Sequence, residues 1–290
     1  MDMMKLVESL SEMPFNIYRL SVYDYGKVDT YSFQPCSNCC DSYSVVKAFV
    51  MTAAGILYDQ GVLKLHLPIR HMLKDLFPSD YDPAWDLVTA EHIMTHRVGF
   101  EESFLDIDVE NASEYTDNDY LSIILRKPLK YLPGSTYVYS DAAYYLLSRL
   151  ISRLAGQNVD QFLREKLLTP MGFREVAWSC CPMGYPIGAT GLYITTEDML
   201  KLGILYLNNG VYLGKRYVSE EWVRLVISRE YEFHAMTASG LIGKGGMFGQ
   251  LVAFSPADQF AVSCHAYETG DTSRLVSCLD RFLKDRRSQQ

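Results

Sequence analysis

Between residues 45 and 60 the chain places Val45, Val46, Phe49, Val50, Met51, Ala53, Ala54, Ile56 and Leu57 so that, at helical spacing, apolar side chains cover nearly every side. A helix that is apolar all round has to be enclosed by protein, so other elements must pack on it from several directions. Gly61 is a natural stop for it. The 290 residues are 48% hydrophobic and 21% charged, enough to bury such a helix and still dissolve. That composition rules out a disordered chain, a collagen-like chain and a disulfide-stapled miniprotein.

Strand patterns lie toward both ends. Residues 15–23 and 27–33 predict two strands joined by Asp24-Tyr25-Gly26, and residues 247–254 and 259–267 predict two more around Ser255-Pro256-Ala257-Asp258. Helical patterns cover 2–12, 90–96, 119–126, 142–154, 159–168, 196–207, 219–227 and 272–284, with Gly156 and Asn208-Asn209-Gly210 as stops. Strands at both ends with mostly helices between them predict an α+β fold: one antiparallel sheet built from both termini, flanked by helices, with a mostly helical inserted lobe. The expected division is residues 1–62 plus 185–290 for the sheet lobe and 63–184 for the helical lobe. A cleft between them is the default place for a site.

Charge and cysteine usage narrow the partners. With 27 basic against 35 acidic residues, a net charge of −8 and no basic cluster, the chain is not built to bind nucleic acid. Its longest strongly apolar stretch, 48–58, is far too short to span a bilayer. The start Met-Asp-Met-Met-Lys-Leu-Val-Glu lacks the apolar centre of a secretory signal, so a cytoplasmic protein with no membrane partner is expected. The sequence carries no signal for an oligomeric state. Seven cysteines, an odd number with two vicinal pairs, suit reduced thiols. Cys36-Ser-Asn-Cys39 has the spacing of half a zinc site, with Cys180-Cys181 as the imaginable other half, but no second C-x-x-C exists. His92 and His96 stand four apart without the intervening glutamate of HExxH. No metal or cofactor is expected. Residues 100–125 hold eight acidic residues and no basic one, which reads either as a solvated loop or as an acidic wall beside a cleft.

Ser44-Val45-Val46-Lys47 opens the apolar helix and is the only S-x-x-K in the chain. Spacing of three puts both side chains on one face, one turn apart. Ammonium beside hydroxyl at the edge of an apolar helix can depress the lysine pKa and make it a proton acceptor. The same residues also read as an N-cap serine and a snorkelling lysine. Tyr139-Ser140-Asp141 precedes another helix, with Asp141 in position to cap it. Lys244-Gly245-Gly246-Met247-Phe248-Gly249 begins a late strand, where glycine marks either close approach to a ligand or a bend.

Taken in order, these segments resemble the serine β-lactamase and penicillin-binding-protein-like hydrolases, in the branch of class C β-lactamases, DD-peptidases and esterases. Ser44-Val-Val-Lys47 resembles the nucleophile helix, His92-Ile-Met-Thr-His96 the "LLTHTSG" segment, and Pro133-Gly134 through Tyr139-Ser140-Asp141 the "PG…YSN" segment. Leu167-Leu-Thr-Pro170-Met-Gly172, Gly188-Ala-Thr-Gly191 and Leu207-Asn-Asn-Gly210 through Gly214-Lys-Arg resemble later family landmarks, and Gly246-Met-Phe-Gly249-Gln250 resembles the "GxxGQ" of nylon-oligomer hydrolases.

The resemblance implies a β-lactamase/transpeptidase-like fold, Ser44 as acylated nucleophile, and Lys47 and Tyr139 as the proton relay. Lys244, Gly245 and Gly246 would stand for the K-T-G triad at the substrate, and the main-chain N–H groups of Ser44 and Met247 would form an oxyanion hole, where one donor is typically worth about 3 kcal/mol. Two positions depart from the family: Asp141 replaces an asparagine, and His96-Arg97-Val98-Gly99 breaks "HTSG". Ionised, Asp141 only accepts hydrogen bonds, so it would attract a substrate amine or hold Lys47 as an ammonium. The expected function is hydrolysis of a small ester, an amide or a peptide containing a D-residue, with free-amine substrates favoured and efficient antibiotic hydrolysis not expected. The alternative is a non-catalytic relative that binds a ligand or partner in the same cleft.

Overall fold

The computed structural model describes residues 3–289. Six strands form one antiparallel sheet in the spatial order Lys27–Ser32, Ile17–Asp24, Phe260–Ala266, Leu251–Ser255, Ile242–Gly245 and His234–Ala235. The two ends of the chain meet at its centre, where Leu20 lies opposite Cys264 and Val22 opposite Val262. The antiparallel sheet expected from both termini is therefore present.

Alternation along these strands serves two apolar layers. Leu20, Val22, Ala253, Val262 and Cys264 pack with Leu6 and Leu10 of the Met3–Glu12 helix and with Leu275, Leu279 and Leu283 of the Ser273–Arg287 helix. Val252, Phe254 and Ala261 point the other way, into a larger cluster with the Thr196–Leu207 helix. Gly203 on that helix lets it approach the sheet: a Cβ there would sit 3.2 Å from Val252.

Behind it lies the Val46–Asp59 helix, every residue of which from Val46 to Leu57 is buried. The Asp141–Ala155 helix packs on one side of it and the Glu220–Arg229 helix on another, with Gly55 directly under the Trp222 indole. All-round burial is what its apolar pattern required. Among the described residues, no helix is long and apolar enough to cross a membrane.

Two expectations need correction. Residues 247–254 are not one strand that Lys244 begins: Lys244 lies within the Ile242–Gly245 strand, and the next strand starts at Leu251. Between them Phe248 (φ 60°) and Gly249 (φ 89°) take left-handed conformations that reverse the chain, so Lys244 pairs with Val252 across the hairpin. A second sheet, in the order Cys39–Asp41, Leu192–Thr195, Val176–Trp178, also went unread, because strands of three and four residues are too short to show alternation.

Candidate active site

The Cys39–Asp41 strand delivers the chain to the mouth of the buried helix. The Asp41 carboxylate accepts the Tyr43 N–H at 2.8 Å, and a 3₁₀ turn over Tyr43–Val45 leads into the helix. Ser44 lies in that turn and does not act as the helix cap. Its Oγ accepts the Lys47 ammonium at 2.8 Å and the Tyr139 O–H at 2.9 Å. The segment that separates Ser44 and Tyr139 by 95 positions thus folds back to put both on one oxygen.

Lys47 is completely buried. Besides Ser44, its Nζ meets the Ala189 carbonyl at 2.9 Å and the Asp141 carboxylate at 2.8 Å. Asp141 is the first residue of its helix and Ser140 occupies the cap position, so the expected Asp141 cap is replaced by an ion pair. Burial works against the charge of Lys47, but Asp141, with Tyr139 and Glu232 adding to it, outweighs burial and raises the pKa above the ordinary lysine value of 10.5. The lysine is therefore an ammonium at neutral pH with no lone pair to offer, contrary to the depressed pKa expected from its spacing alone. Its folded pKa is raised, so its contribution to stability is complete below pH 10.5 and lost only as pH climbs through the higher value.

Tyr139 is 36% exposed and held by its surroundings. The His96 ring stacks on it at 4.5 Å between centroids, and Lys47 Nζ and Lys244 Nζ lie 5.0 and 5.1 Å from its ring centre. Lys244 is ion-paired with Glu232, a fully buried carboxylate that sequence reasoning missed. The other Glu232 oxygen accepts the His96 Nε2–H at 2.8 Å. His96 Nδ1 accepts the Ser140 N–H at 3.3 Å, which fixes the ring proton on Nε2. Burial keeps His96 below the ordinary histidine value despite Glu232, so the imidazole is neutral. Burial also opposes ionisation of Glu232, but Lys244 and His96 hold it well below the usual carboxylate range. The one hint in the sequence was a charged residue set between two aromatics, Tyr231-Glu232-Phe233.

Gly246 explains why this strand end is glycine-rich. A Cβ there would stand 2.6 Å from the Ser42 carbonyl oxygen and 3.3 Å from the Ser44 nitrogen, whereas Gly245 meets only the Gln250 oxygen at 3.9 Å. The close approach brings the main chains of Ser44 and Met247 to the same cleft. Gly246→Ala is expected to push the two apart and to destabilise the fold by about 1–3 kcal/mol, as overpacking does, and an unchanged thermal midpoint would refute the close-approach role.

The cleft has a volume of about 400 Å³ and is bordered by Ser44, Tyr139, Asp141, Lys244 and the Gly245–Met247 segment, together with Asp106 and Asp108. Every cleft residue expected from the sequence is thereby gathered, with Lys47 buried behind Ser44. Of the eight acidic residues in 100–125, only Asp106 and Asp108 border the cleft. With Asp141 they place carboxylate oxygens within 4.8 Å of one another. Burial, then repulsion from Asp141 and Asp108, raises the Asp106 carboxyl to about 6, and Asp108 is raised for like reasons.

The other candidate ligands are dispersed. His92 Nδ1 accepts the Thr89 N–H in a helix capping box, and all seven cysteines are free thiols. Cys39, Cys40 and Cys180 each donate to a main-chain carbonyl.

A family model described as Beta-lactamase matches residues 37–274. A curated protein of Escherichia coli O157:H7 named "Putative D-alanyl-D-alanine carboxypeptidase" is 30% identical over 131 residues, covering 44% of this chain and 27% of its own. The N-acetylmuramyl-L-alanine amidase of Bacillus subtilis (strain 168) is 23% identical over 238 residues, covering 79% of this chain and 49% of its own. This chain thus spans half or less of the length of those relatives. Among solved structures, the D-amino acid amidase from Ochrobactrum anthropi SV3 superposes with a TM-score of 0.73 at 14% identity, covering 98% of this chain and 100% of that one, a likeness of fold.

Proposed function

The chain belongs to the Beta-lactamase family, and from that premise we propose that it is a serine hydrolase working through an acyl-enzyme on Ser44. One observation carries the reading: Ser44 Oγ lies within 2.9 Å of both the Lys47 ammonium and the Tyr139 hydroxyl, at a cleft open to a small substrate. Ser44 Oγ attacks a carbonyl and gives its proton to the Tyr139 oxygen as Tyr139 passes its own proton to the leaving group. Lys47, held as an ammonium by Asp141, serves as a fixed positive charge in this cycle. The N–H groups of Ser44 and Met247 face the developing oxyanion. Water then returns a proton to Ser44 through Tyr139 as it releases the acyl group, so the cycle closes with no cofactor.

Tyr139→Phe tests this relay. On p-nitrophenyl acetate it is expected to lower kcat/KM by about 10²–10⁴-fold, and a change under about threefold would remove Tyr139 from the proton path. The binding-protein reading keeps one supporting observation, the loss of Lys47 as a base, and wild-type turnover of the ester with the Tyr139 dependence would end it.

The substrate class is a small ester, amide or D-residue peptide, and the cleft's carboxylates favour one that carries a free amine. Among the relatives' printed names, the amidases fit small amide substrates. A charged contact to an ammonium is worth about 1.5–3 kcal/mol, so a substrate with a free amine is expected to exceed its N-acetylated match by about 10- to 100-fold in kcat/KM. Because the Asp106 carboxyl lies at about 6, the preference should shrink as pH falls below that value and the carboxylate takes up its proton. Equal kcat/KM for the pair at neutral pH would overturn it.

A further inference from the structure

We propose that Glu232 sets the selectivity of the cleft by occupying Lys244, so that the site does not accept a substrate carboxylate. The inference rests on the serine-hydrolase reading and names which substrates that site turns away. Lys244 is the one basic residue bordering the cleft among the described residues, and so the natural receptor for an anion. Its ammonium is committed inward. It is 6% exposed and paired with Glu232, which is 1% exposed and does not itself border the cleft.

Among the described residues, the other groups that act on Glu232 include His96 and His234, both held below the ordinary histidine value by burial, and the Tyr144 hydroxyl, none of them a cation at neutral pH. The second Glu232 oxygen holds the Nε2–H of His96, and the ring is neutral. Lys47, the other lysine that acts on Glu232, is committed to Asp141. A substrate carboxylate that drew Lys244 outward would therefore leave Glu232 buried and unpaired, which is strongly unfavourable. The same anion would face Asp106, Asp108 and Asp141 across the cleft. Two lysines are set against four carboxylates around one nucleophile. The acyl donors that fit are neutral or amine-bearing, without a carboxylate near Lys244, and a peptide ending in a free acid beside the scissile bond does not qualify.

The test uses a matched pair, the mono-p-nitrophenyl ester of adipic acid and its methyl-capped counterpart, which differ in one negative charge. Wild type is expected to favour the neutral ester by at least about tenfold in kcat/KM. In Glu232→Gln the anionic-to-neutral ratio should rise about tenfold, chiefly through a lower KM for the anion, and adding Lys244→Gln should cancel the gain. Loss of a purely structural support would slow both esters alike and leave the ratio unmoved, and that result overturns the proposal.

If Glu232→Gln does not fold, the double variant Glu232→Gln with Lys244→Gln, which leaves neither charge buried alone, decides. An unchanged ratio is expected, and a tenfold fall would mean that Lys244 already receives the anion. Calorimetric binding of monomethyl adipate reads the same contrast without turnover, with tighter binding by Glu232→Gln expected and equal binding overturning the inference. If wild type turns over neither ester while that binding contrast persists, the hydrolase reading fails and the role of Glu232 stands.

Discussion

Replacing Ser44 with alanine is expected to lower kcat/KM on a small activated ester by about 10⁴-fold or more, down to a residue supplied by binding and by the oxyanion donors. The size follows from what the substitution removes. Ser44 Oγ is the common partner of Lys47 and Tyr139, and without it neither has an oxygen at the cleft to act on. Ser44 does not cap the helix, so stability should change little. The variant would fold normally and be inactive, a combination that separates chemistry from structure. Substantial activity in folded Ser44→Ala would place the nucleophile elsewhere.

Asp141→Asn is expected to produce the second large effect, on stability and pH dependence together. The amide has the carboxylate's shape but no charge, and it leaves the Lys47 ammonium in a fully buried site without its partner. Breaking a buried pair in this way costs about 3–5 kcal/mol. Lys47 can relieve the cost by giving up its proton, because burial, the largest influence on it, now acts without its main opponent.

The sign of the pH dependence follows. In wild type the raised pKa keeps the pair's contribution intact up to pH 10.5. In the variant the folded pKa falls below the unfolded one, so the unfolded chain binds more protons and stability increases with pH. The gap in thermal midpoint between the two proteins should therefore narrow from about pH 6 toward pH 10. A neutral Lys47 amine 2.8 Å from Ser44 Oγ can also take its proton, so Tyr139→Phe should cost less in the Asp141→Asn background than in wild type. Equal costs in the two backgrounds, with parallel stability curves, would show that Asp141 does not control the charge of Lys47.

What could be read beforehand was local. Ser44 and Lys47 are three residues apart on a helix whose apolar pattern identifies it, so their meeting needs only helical geometry. Residues 17–32 show alternation and a turn long enough to recognise as a hairpin. Tyr139 and the Lys244–Met247 segment came into view through ordered resemblance, since no spacing rule joins position 139 to position 44.

The parts that were misread depend on contacts between distant segments. Glu232 lies 136 residues from His96, and a carboxylate between two aromatics says nothing about which lysine will neutralise it. Asp141 looked like a cap because helix starts favour aspartate, but a buried lysine from another helix made a stronger claim on its charge. The strand expected at residue 247 was displaced by a chain reversal that Gly249 permits and that holds Phe248 at φ 60°, where the Phe248 ring rests on Tyr267 at 4.5 Å. The acidic stretch split between both readings: Asp106 and Asp108 turn to the cleft, while Asp119 instead pairs with Arg149.

The acyl-enzyme on Ser44 is tested most directly by intact-protein mass after brief incubation with an activated ester and, separately, with a penicillin, using wild type and Ser44→Ala. The expected result is a single acyl increment on wild type from the ester, absent from the variant. An equal increment on both proteins, or no increment together with no hydrolysis of either reagent, would contradict it.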